Sequence, residues 1–238
     1  TSNLNQNKLY LNKGDFQFED ITDLAGVGGE KSWSTGVSLA DINADGFLDI
    51  YVSNSGDIKG DNKQNELFIN NGDLTFTEMA KEYGLDDKGY STHAAFFDFD
   101  RDGDLDCYLL NNSYKGGFRI TSIGKDQRPV RDEVGGDKLF KNDNGKFIDI
   151  SEEAGIYGSV IGFGLGVTVG DANNDGWMDI YVSNDFFERD YLYINNQDGT
   201  FSENLETMIK SISAASMGAD MADINNDGFS EIFVTDML

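Results

Sequence analysis

Apolar residues in this chain come in short runs between polar, glycine-rich turns, and the runs recur in a fixed order. Four of them read Ile50-Tyr51-Val52, Cys107-Tyr108-Leu109-Leu110, Ile180-Tyr181-Val182 and Ile232-Phe233-Val234. Each is too short for a helix and is rich in β-branched and aromatic residues, which predicts a strand. Before each lies a looser apolar segment, such as Thr35-Gly36-Val37-Ser38-Leu39-Ala40 or Leu165-Gly166-Val167-Thr168-Val169-Gly170. A second unit alternates with the first. It reads Leu9-Tyr10-Leu11-Asn12-Lys13-Gly14 then Phe16 and Phe18, and Leu67-Phe68-Ile69-Asn70-Asn71-Gly72 then Phe76. It returns from Leu139 through Gly145 to Phe147, and from Leu192 through Asn195 and Gly199 to Phe201. This is the pattern of a strand, an Asn/Gly hairpin turn and a strand. Helical signal is weak and confined to residues 77–83, 151–154 and 205–210.

One period is therefore four antiparallel strands in roughly 50 to 70 residues, the size of a propeller blade. So short a sheet cannot cover its own faces, and its neighbours must stack on it around an axis. The pattern predicts an all-β β-propeller of four-stranded antiparallel blades. Residues 1–30 form the second half of a blade, 31–85 a blade, 90–156 a blade with an insertion at 112–136, and 160–208 a blade. Residues 214–238 form the first half of another. Either the two halves complete one shared blade, or these roughly four blades belong to a larger propeller; the ending on a bare strand favours the larger one.

Between the two strands of each first unit sits a nine-residue acidic loop. The copies are Asp41-Ile42-Asn43-Ala44-Asp45-Gly46-Phe47-Leu48-Asp49, Asp98 to Asp106, Asp171 to Asp179 and Asp223 to Glu231, starting 57, 73 and 52 residues apart. Oxygens at loop positions 1, 3, 5 and 9, with a backbone carbonyl at position 7, can curl around one hard cation, and calcium takes six to eight such ligands. The candidate ligands are Asp41, Asn43, Asp45, Phe47 and Asp49; Asp98, Asp100, Asp102, Asp104 and Asp106; Asp171, Asn173, Asp175, Trp177 and Asp179; and Asp223, Asn225, Asp227, Phe229 and Glu231. Position 6 is glycine in every copy, as a tight turn requires. An EF-hand shares the opening of this motif but needs a bidentate Glu at position 12. Position 12 here is Val52, Leu109, Val182 and Val234, so that reading fails. On charge count the second loop, with four carboxylates (Asp98, Asp100, Asp102, Asp106) at positions 1, 3, 5 and 9 against three in each of the others, should hold its ion most tightly.

Composition sharpens this picture. The 238 residues carry 43 acidic and 18 basic side chains, a formal charge of −25, which excludes nucleic acid and anionic lipid headgroups as partners. Four bound Ca²⁺ would bring the charge to −17. Hydrophobic residues make up 39%, so the chain folds despite its acidity; with 28 Gly and a single Pro, its turns rest on Gly, Asn and Asp. Cys107 is the only cysteine, which rules out an internal disulfide and reads as a buried thiol. No apolar stretch approaches the roughly 18 residues of a membrane span. The chain starts at Thr1, so any export segment would lie outside it.

Other candidates weigh less. Phe97-Asp98-Phe99-Asp100 resembles a phosphatase aspartate motif, but fourfold repetition makes it a loop copy. Gly162-Phe163-Gly164-Leu165-Gly166 lacks the Lys/Ser pair of a phosphate loop. His93 replaces the glycine of the sister repeats (Gly36, Gly166, Gly218) and is read as packed rather than catalytic. Trp33 and Trp177 are read as blade-edge aromatics, with carbohydrate stacking an alternative for Trp33. The insertion gathers Lys115, Arg119, Lys125, Arg128 and Arg131 against three acids, a local excess of positive charge on an acidic body. That makes it a candidate partner-binding loop, or else a solvated insertion.

The four loops, with the segments Lys8 to Thr22 and Ser183 to Asn196 and the closing Val234-Thr235-Asp236-Met237-Leu238, resemble the FG-GAP/VCBS repeats of integrin-like propellers. The resemblance is strongest to the cartilage acidic protein and UnbV-related group, of the Bacteroidota surface-lipoprotein type. It implies a calcium-stabilised propeller, often seven-bladed, exported and lipid-anchored at the outer-membrane surface through a segment outside this chain. Function then reads as a cell-surface binding or scaffolding module for a protein or glycan partner, accessory to nutrient uptake through a SusC/SusD-type transporter. The alternatives are a glycan-active enzyme with its site at the propeller funnel, for which no catalytic constellation is identifiable, and a structural spacer.

Overall fold

The computed structural model describes residues 5–29, 33–56, 63–113, 126–186 and 188–237. Its sixteen strands run, in chain order, β1 Tyr10–Asn12, β2 Phe18–Asp20, β3 Ser34–Ala40, β4 Asp49–Asn54, β5 Glu66–Asn70, β6 Phe76–Glu78, β7 Ser91–Phe97 and β8 Asp106–Asn111. They continue as β9 Lys138–Asn142, β10 Phe147–Asp149, β11 Gly164–Gly170, β12 Asp179–Asn184, β13 Tyr191–Asn195, β14 Phe201–Glu203, β15 Ser216–Ala222 and β16 Glu231–Asp236. Three four-stranded antiparallel sheets result, β3-β4-β5-β6, β7-β8-β9-β10 and β11-β12-β13-β14, flanked by the two-stranded sheets β1-β2 and β15-β16. The fold is all-β, with sheets of the size and order of propeller blades.

The apolar core lies between sheets, not within them. On β4, Ile50 and Val52 pack toward the β1-β2 hairpin, while Tyr51 between them packs toward the next sheet with Leu67, Ala94, Cys107 and Leu109. On β8, Cys107 and Leu109 face back and Tyr108 and Leu110 face forward onto Ile180, Tyr191 and Tyr193. The period of two sends successive residues to different cores, so a strand buried on both faces reads as a continuous apolar run. All six residues of β4, β8 and β12 are buried for this reason.

The first strand of each sheet packs on the first strand of the next: β3 on β7, β7 on β11 and β11 on β15. Each also carries a register shift at one place, at Gly36, His93, Gly166 and Gly218. The sheets converge tightly there. A Cβ on Gly36 would lie 2.4 Å from the Thr92 carbonyl oxygen of the neighbouring strand, so the glycine is needed for space. His93 stands at the same register position, half-buried, and desolvation pushes its imidazole below the usual range.

Helix is limited to single turns after the outer strands: α1 Thr22–Ala25, α2 Ala80–Tyr83 and α3 Leu205–Met208. The expected helical segment at 77–83 is half strand, because Phe76–Glu78 completes a sheet first; residues 151–155 form a turn, and α1 had no counterpart in the sequence reading. In the structure the β1-β2 and β15-β16 hairpins remain separate sheets. Apolar residues are exposed toward both ends, Val37 and Leu39 on β3 and Phe233 on β16 with Phe229 in the loop before it.

Candidate metal centre

Each acidic loop joins the first two strands of a sheet and folds around its own backbone N–H groups. In the first loop the two Asp41 oxygens accept from the Asp45 and Gly46 amides, and Asp45 Oδ1 accepts from Phe47. The third loop repeats this with Asp171 and Asp175, and the fourth with Asp223 and Asp227. Two residues per loop adopt positive φ: the position-6 glycine, and position 4 as Ala44, Arg101, Asn174 and Asn226. For Ala44 and Arg101 this left-handed backbone costs about 1 kcal/mol each, so something must hold the turn in place.

The position-9 acid is that anchor. Asp49 Oδ2 accepts from the Ile42 N–H at 2.9 Å and Oδ1 from the Asn70 N–H at 2.8 Å, tying the loop to the hairpin of the same blade. Asp106 holds Phe99 and Asn142 in the same way, and Asp179 holds Ala172 and Asn195. These three carboxylates are fully buried, and burial pushes all three up, Asp106 to about 7. A carboxylate has about four acceptor positions, so each keeps lone pairs for a cation after both amides are satisfied. Glu231, one methylene longer, accepts from the Ile224 N–H and the Asn225 side chain instead.

The second loop departs from its sisters. Gly103 donates to Asp98 Oδ2, but Asp98 Oδ1, whose counterparts accept the position-5 amide, is buried without a hydrogen-bond partner. Asp104 Oδ1 is likewise buried and unpartnered. Carboxylate oxygens of Asp98, Asp100 and Asp106 lie within 4.8 Å of one another, the one such acidic group among the described residues. Burial and the adjacent Asp102 charge push Asp104 up to about 6. Orphaned, convergent, all-oxygen donors fit a hard cation. The Lys141 ammonium, from the neighbouring strand β9, contacts Asp100 and lies 3.3 Å from Asp102 Oδ2. Nothing in the repeat pattern along the chain marks Lys141 for this contact.

The insertion divides. Lys115, Arg119 and Lys125 lie outside the described residues. Arg128 pairs with the buried Glu188 at 2.7 Å, and Arg131 donates to the carbonyls of Ile156 at 3.0 Å and Asp137 at 2.7 Å. These two arginines are therefore engaged with their own chain along the blade edge. The candidate aromatics sit at edges too. Trp33 is exposed, and the Trp177 ring lies 4.5 Å beneath the Arg101 guanidinium of the preceding loop, while Cys107 is wholly buried.

A further lock recurs one residue before each hairpin strand. Asn65, Asp137 and Asp190 each accept from an N–H on the preceding strand (Asn54, Asn111, Asn184) and bond the hydroxyl of Tyr51, Tyr108 or Tyr181. The sequence carried this signal, since Asn7, Asn65, Asp137 and Asp190 precede every copy of the hairpin unit.

The FG-GAP-like repeat pattern matches residues 1–52, 55–109 and 173–234. The chain belongs to the FG-GAP-like repeat family. Residues 110–172 fall outside the matches, yet β9 and β10 within that segment complete a sheet in the same order as β5 and β6. Among curated relatives, cartilage acidic protein 1 of Xenopus tropicalis is 29% identical over 185 residues, covering 74% of this chain and 25% of that protein. The human cartilage acidic protein 1 is 28% identical over 178 residues. Mouse integrin alpha-3 is 29% identical over 119 residues, covering 44% of this chain and 11% of that protein. This FG-GAP chain thus spans a quarter or less of the length of these relatives. A solved structure, that of an Agrocybe aegerita lectin described for specific recognition of non-reducing terminal N-acetylglucosamine, aligns with a TM-score of 0.47. It is 16% identical and covers 94% of this chain and 54% of that one.

Proposed function

We propose that this chain is a calcium-stabilised arc of an extracellular β-propeller that acts as a binding or scaffolding module. The observation that carries the reading is the second loop, where two buried carboxylate oxygens lack partners inside a cluster of oxygen donors. Three sister loops of the same spacing stand beside it. In each loop, positions 1, 3, 5 and 9 and the position-7 carbonyl would hold one ion. Calcium would supply charge neutralisation, letting carboxylates that otherwise repel one another close the loop. Four ions along four parallel loops would stiffen one rim of the blades, and a rigid rim lets loops present a docking surface. The apolar residues exposed on β3 and on β16 suit further strands packed against both, so the arc is read as part of a larger ring.

A binding role is favoured over catalysis because the chemistry concentrated in this chain is cation holding. The partner is read as a protein or glycan at the cell surface. A place beside a SusC/SusD-type transporter, with lipid anchoring through a segment outside this chain, rests on family resemblance. Among the described residues no helix is long and apolar enough to cross a membrane.

The test is a thermal melt in calcium, in magnesium and in chelator. A ligand at about 100 times its Kd adds ~2.7 kcal/mol per site. In a domain of this size that raises the melting temperature by about 5–10 °C for a single loop. The midpoint should therefore fall by at least that much in chelator and recover with calcium better than with magnesium; identical midpoints would refute the metal reading. Native pull-down from surface extracts and a glycan-depolymerisation screen then separate binding, spacer and enzyme.

A further inference from the structure

The second loop has a cation set against it by a strand of the same sheet. Its position 3 is Asp100, where the other three loops have Asn43, Asn173 and Asn225. In the first and third loops that amide is a neutral donor, from Asn43 Nδ2 to Asp45 Oδ2 at 2.9 Å and from Asn173 Nδ2 to Asp175 Oδ2 at 3.0 Å. Asp100 cannot donate, and it adds a charge. The missing donor comes from another element. Lys141 stands in β9 opposite Ile148, the register position held by Ile69 opposite Thr77 and by Ile194 opposite Ser202 in the sister hairpins. Its ammonium contacts Asp100 and reaches Asp102, the position-3 and position-5 acids, with 37% of the side chain still exposed. At position 3, then, an extra carboxylate is matched by an ammonium; the loop's other extra acid, Asp104 at position 7 in place of Phe47, Trp177 and Phe229, is not paired with it.

We propose that Lys141 is a resident counter-ion of the second loop, holding its carboxylates together without metal and lowering the affinity of that loop for calcium. This rests on the calcium reading above and reverses the ranking that charge count alone suggests. Together with the ammonium, the side chains at positions 1, 3, 5 and 9 carry the same net charge as their counterparts in the sister loops. A calcium ion entering here must also displace or share Asp100 and Asp102 with the ammonium. The loop lies at the boundary where Arg101 bridges to the carbonyl of Gly176 in the third loop. A unit positive charge a few ångströms from the ion, in surroundings between water and protein interior, is worth about tenfold in affinity after screening.

The experiment replaces Lys141 with the residue of the sister blades, Lys141→Ile, and with a neutral hydrogen-bonding residue, Lys141→Gln. Calcium uptake is followed by titration calorimetry, and melts are run in chelator and in saturating calcium. One calcium-binding event should tighten about tenfold in both variants, and the chelator midpoint should fall while the calcium-saturated midpoint stays near wild type. The gain should vanish when Asp98→Asn disables the same loop. Lys141→Gln preserves a donor and a long side chain, so a misfolded Lys141→Ile leaves the test intact. Calcium uptake with unchanged affinities in both variants overturns the counter-ion role and leaves the metal reading standing; no uptake by the wild-type protein overturns both.

Discussion

Asp137 offers a measurement in which one atom pair decides the outcome. Its carboxyl is buried between blades, Oδ1 accepting the Asn111 N–H at 2.9 Å and Oδ2 the Tyr108 hydroxyl at 2.9 Å. Burial pushes it up to about 7 against an ordinary value near 3.8, although both hydrogen bonds and the Arg131 charge pull the other way. A carboxyl that titrates higher folded than unfolded binds its proton more tightly in the native state. Stability is then fully present below about pH 4 and is lost as pH rises toward 7. At 1.36 kcal/mol per unit the total loss is about 4 kcal/mol, of which ~3 kcal/mol falls between pH 5 and pH 8.

The first blade shows how to remove that term. Asn65 holds the same place, accepts from the Asn54 N–H and donates to the Tyr51 hydroxyl, which itself donates to the Leu85 carbonyl. Asp137→Asn can likewise accept from the Asn111 N–H and donate to the Tyr108 hydroxyl. Urea unfolding of both proteins from pH 5 to pH 8.5, at fixed calcium, should show the variant gaining about 3 kcal/mol on wild type across that range. A difference that stays constant with pH would mean that Asp137 is ionised throughout and that burial is not the dominant influence on it.

Two other substitutions probe how the blades are joined. Gly36→Ala places a methyl 2.4 Å from the Thr92 carbonyl oxygen, which the paired strands cannot move aside, and should cost at least ~2 kcal/mol in urea unfolding. Gly218→Ala is its control, because the nearest atom to that Cβ is 3.9 Å away and stability should hardly change. Arg131→Met removes the donors to Ile156 and Asp137 and should lower stability by ~2 kcal/mol; an unchanged midpoint would return Arg131 to the pool of cations open to a partner.

What the sequence revealed and what it hid follow from the range of the forces involved. Strand order, hairpin turns and the acidic loops were legible because each depends on residues close together in the chain and recurs several times. Ile50-Tyr51-Val52 is an example: its alternation toward two cores follows from strand period alone, and the structure places Tyr51 and its neighbours accordingly. The turn glycines are legible for the same local reason, since Gly46 and its counterparts all need φ near +90°.

The functions of position 9 and of Lys141 were not legible because each is settled by a contact across the blade. Asp106 looks like one more ligand until its Oδ1 meets the Asn142 N–H, 36 residues further on. It then proves to be the staple between loop and hairpin whether or not a cation is bound. Lys141 reads as a solvated strand residue until β9 pairs with β8 and sets it beside Asp100. Counting carboxylates along the chain ranks the second loop highest; adding the Lys141 ammonium returns its position 1, 3, 5 and 9 side chains to the charge of their sisters. The insertion follows the same logic. Arg128 and Arg131 are surplus charge in a composition, but Glu188 and the Ile156 carbonyl, 60 and 25 residues downstream, leave them little to offer a partner. In a repeat protein, then, the residues that depart from the repeat are best read in pairs, because a departure in one unit is balanced by whichever neighbour the fold brings against it.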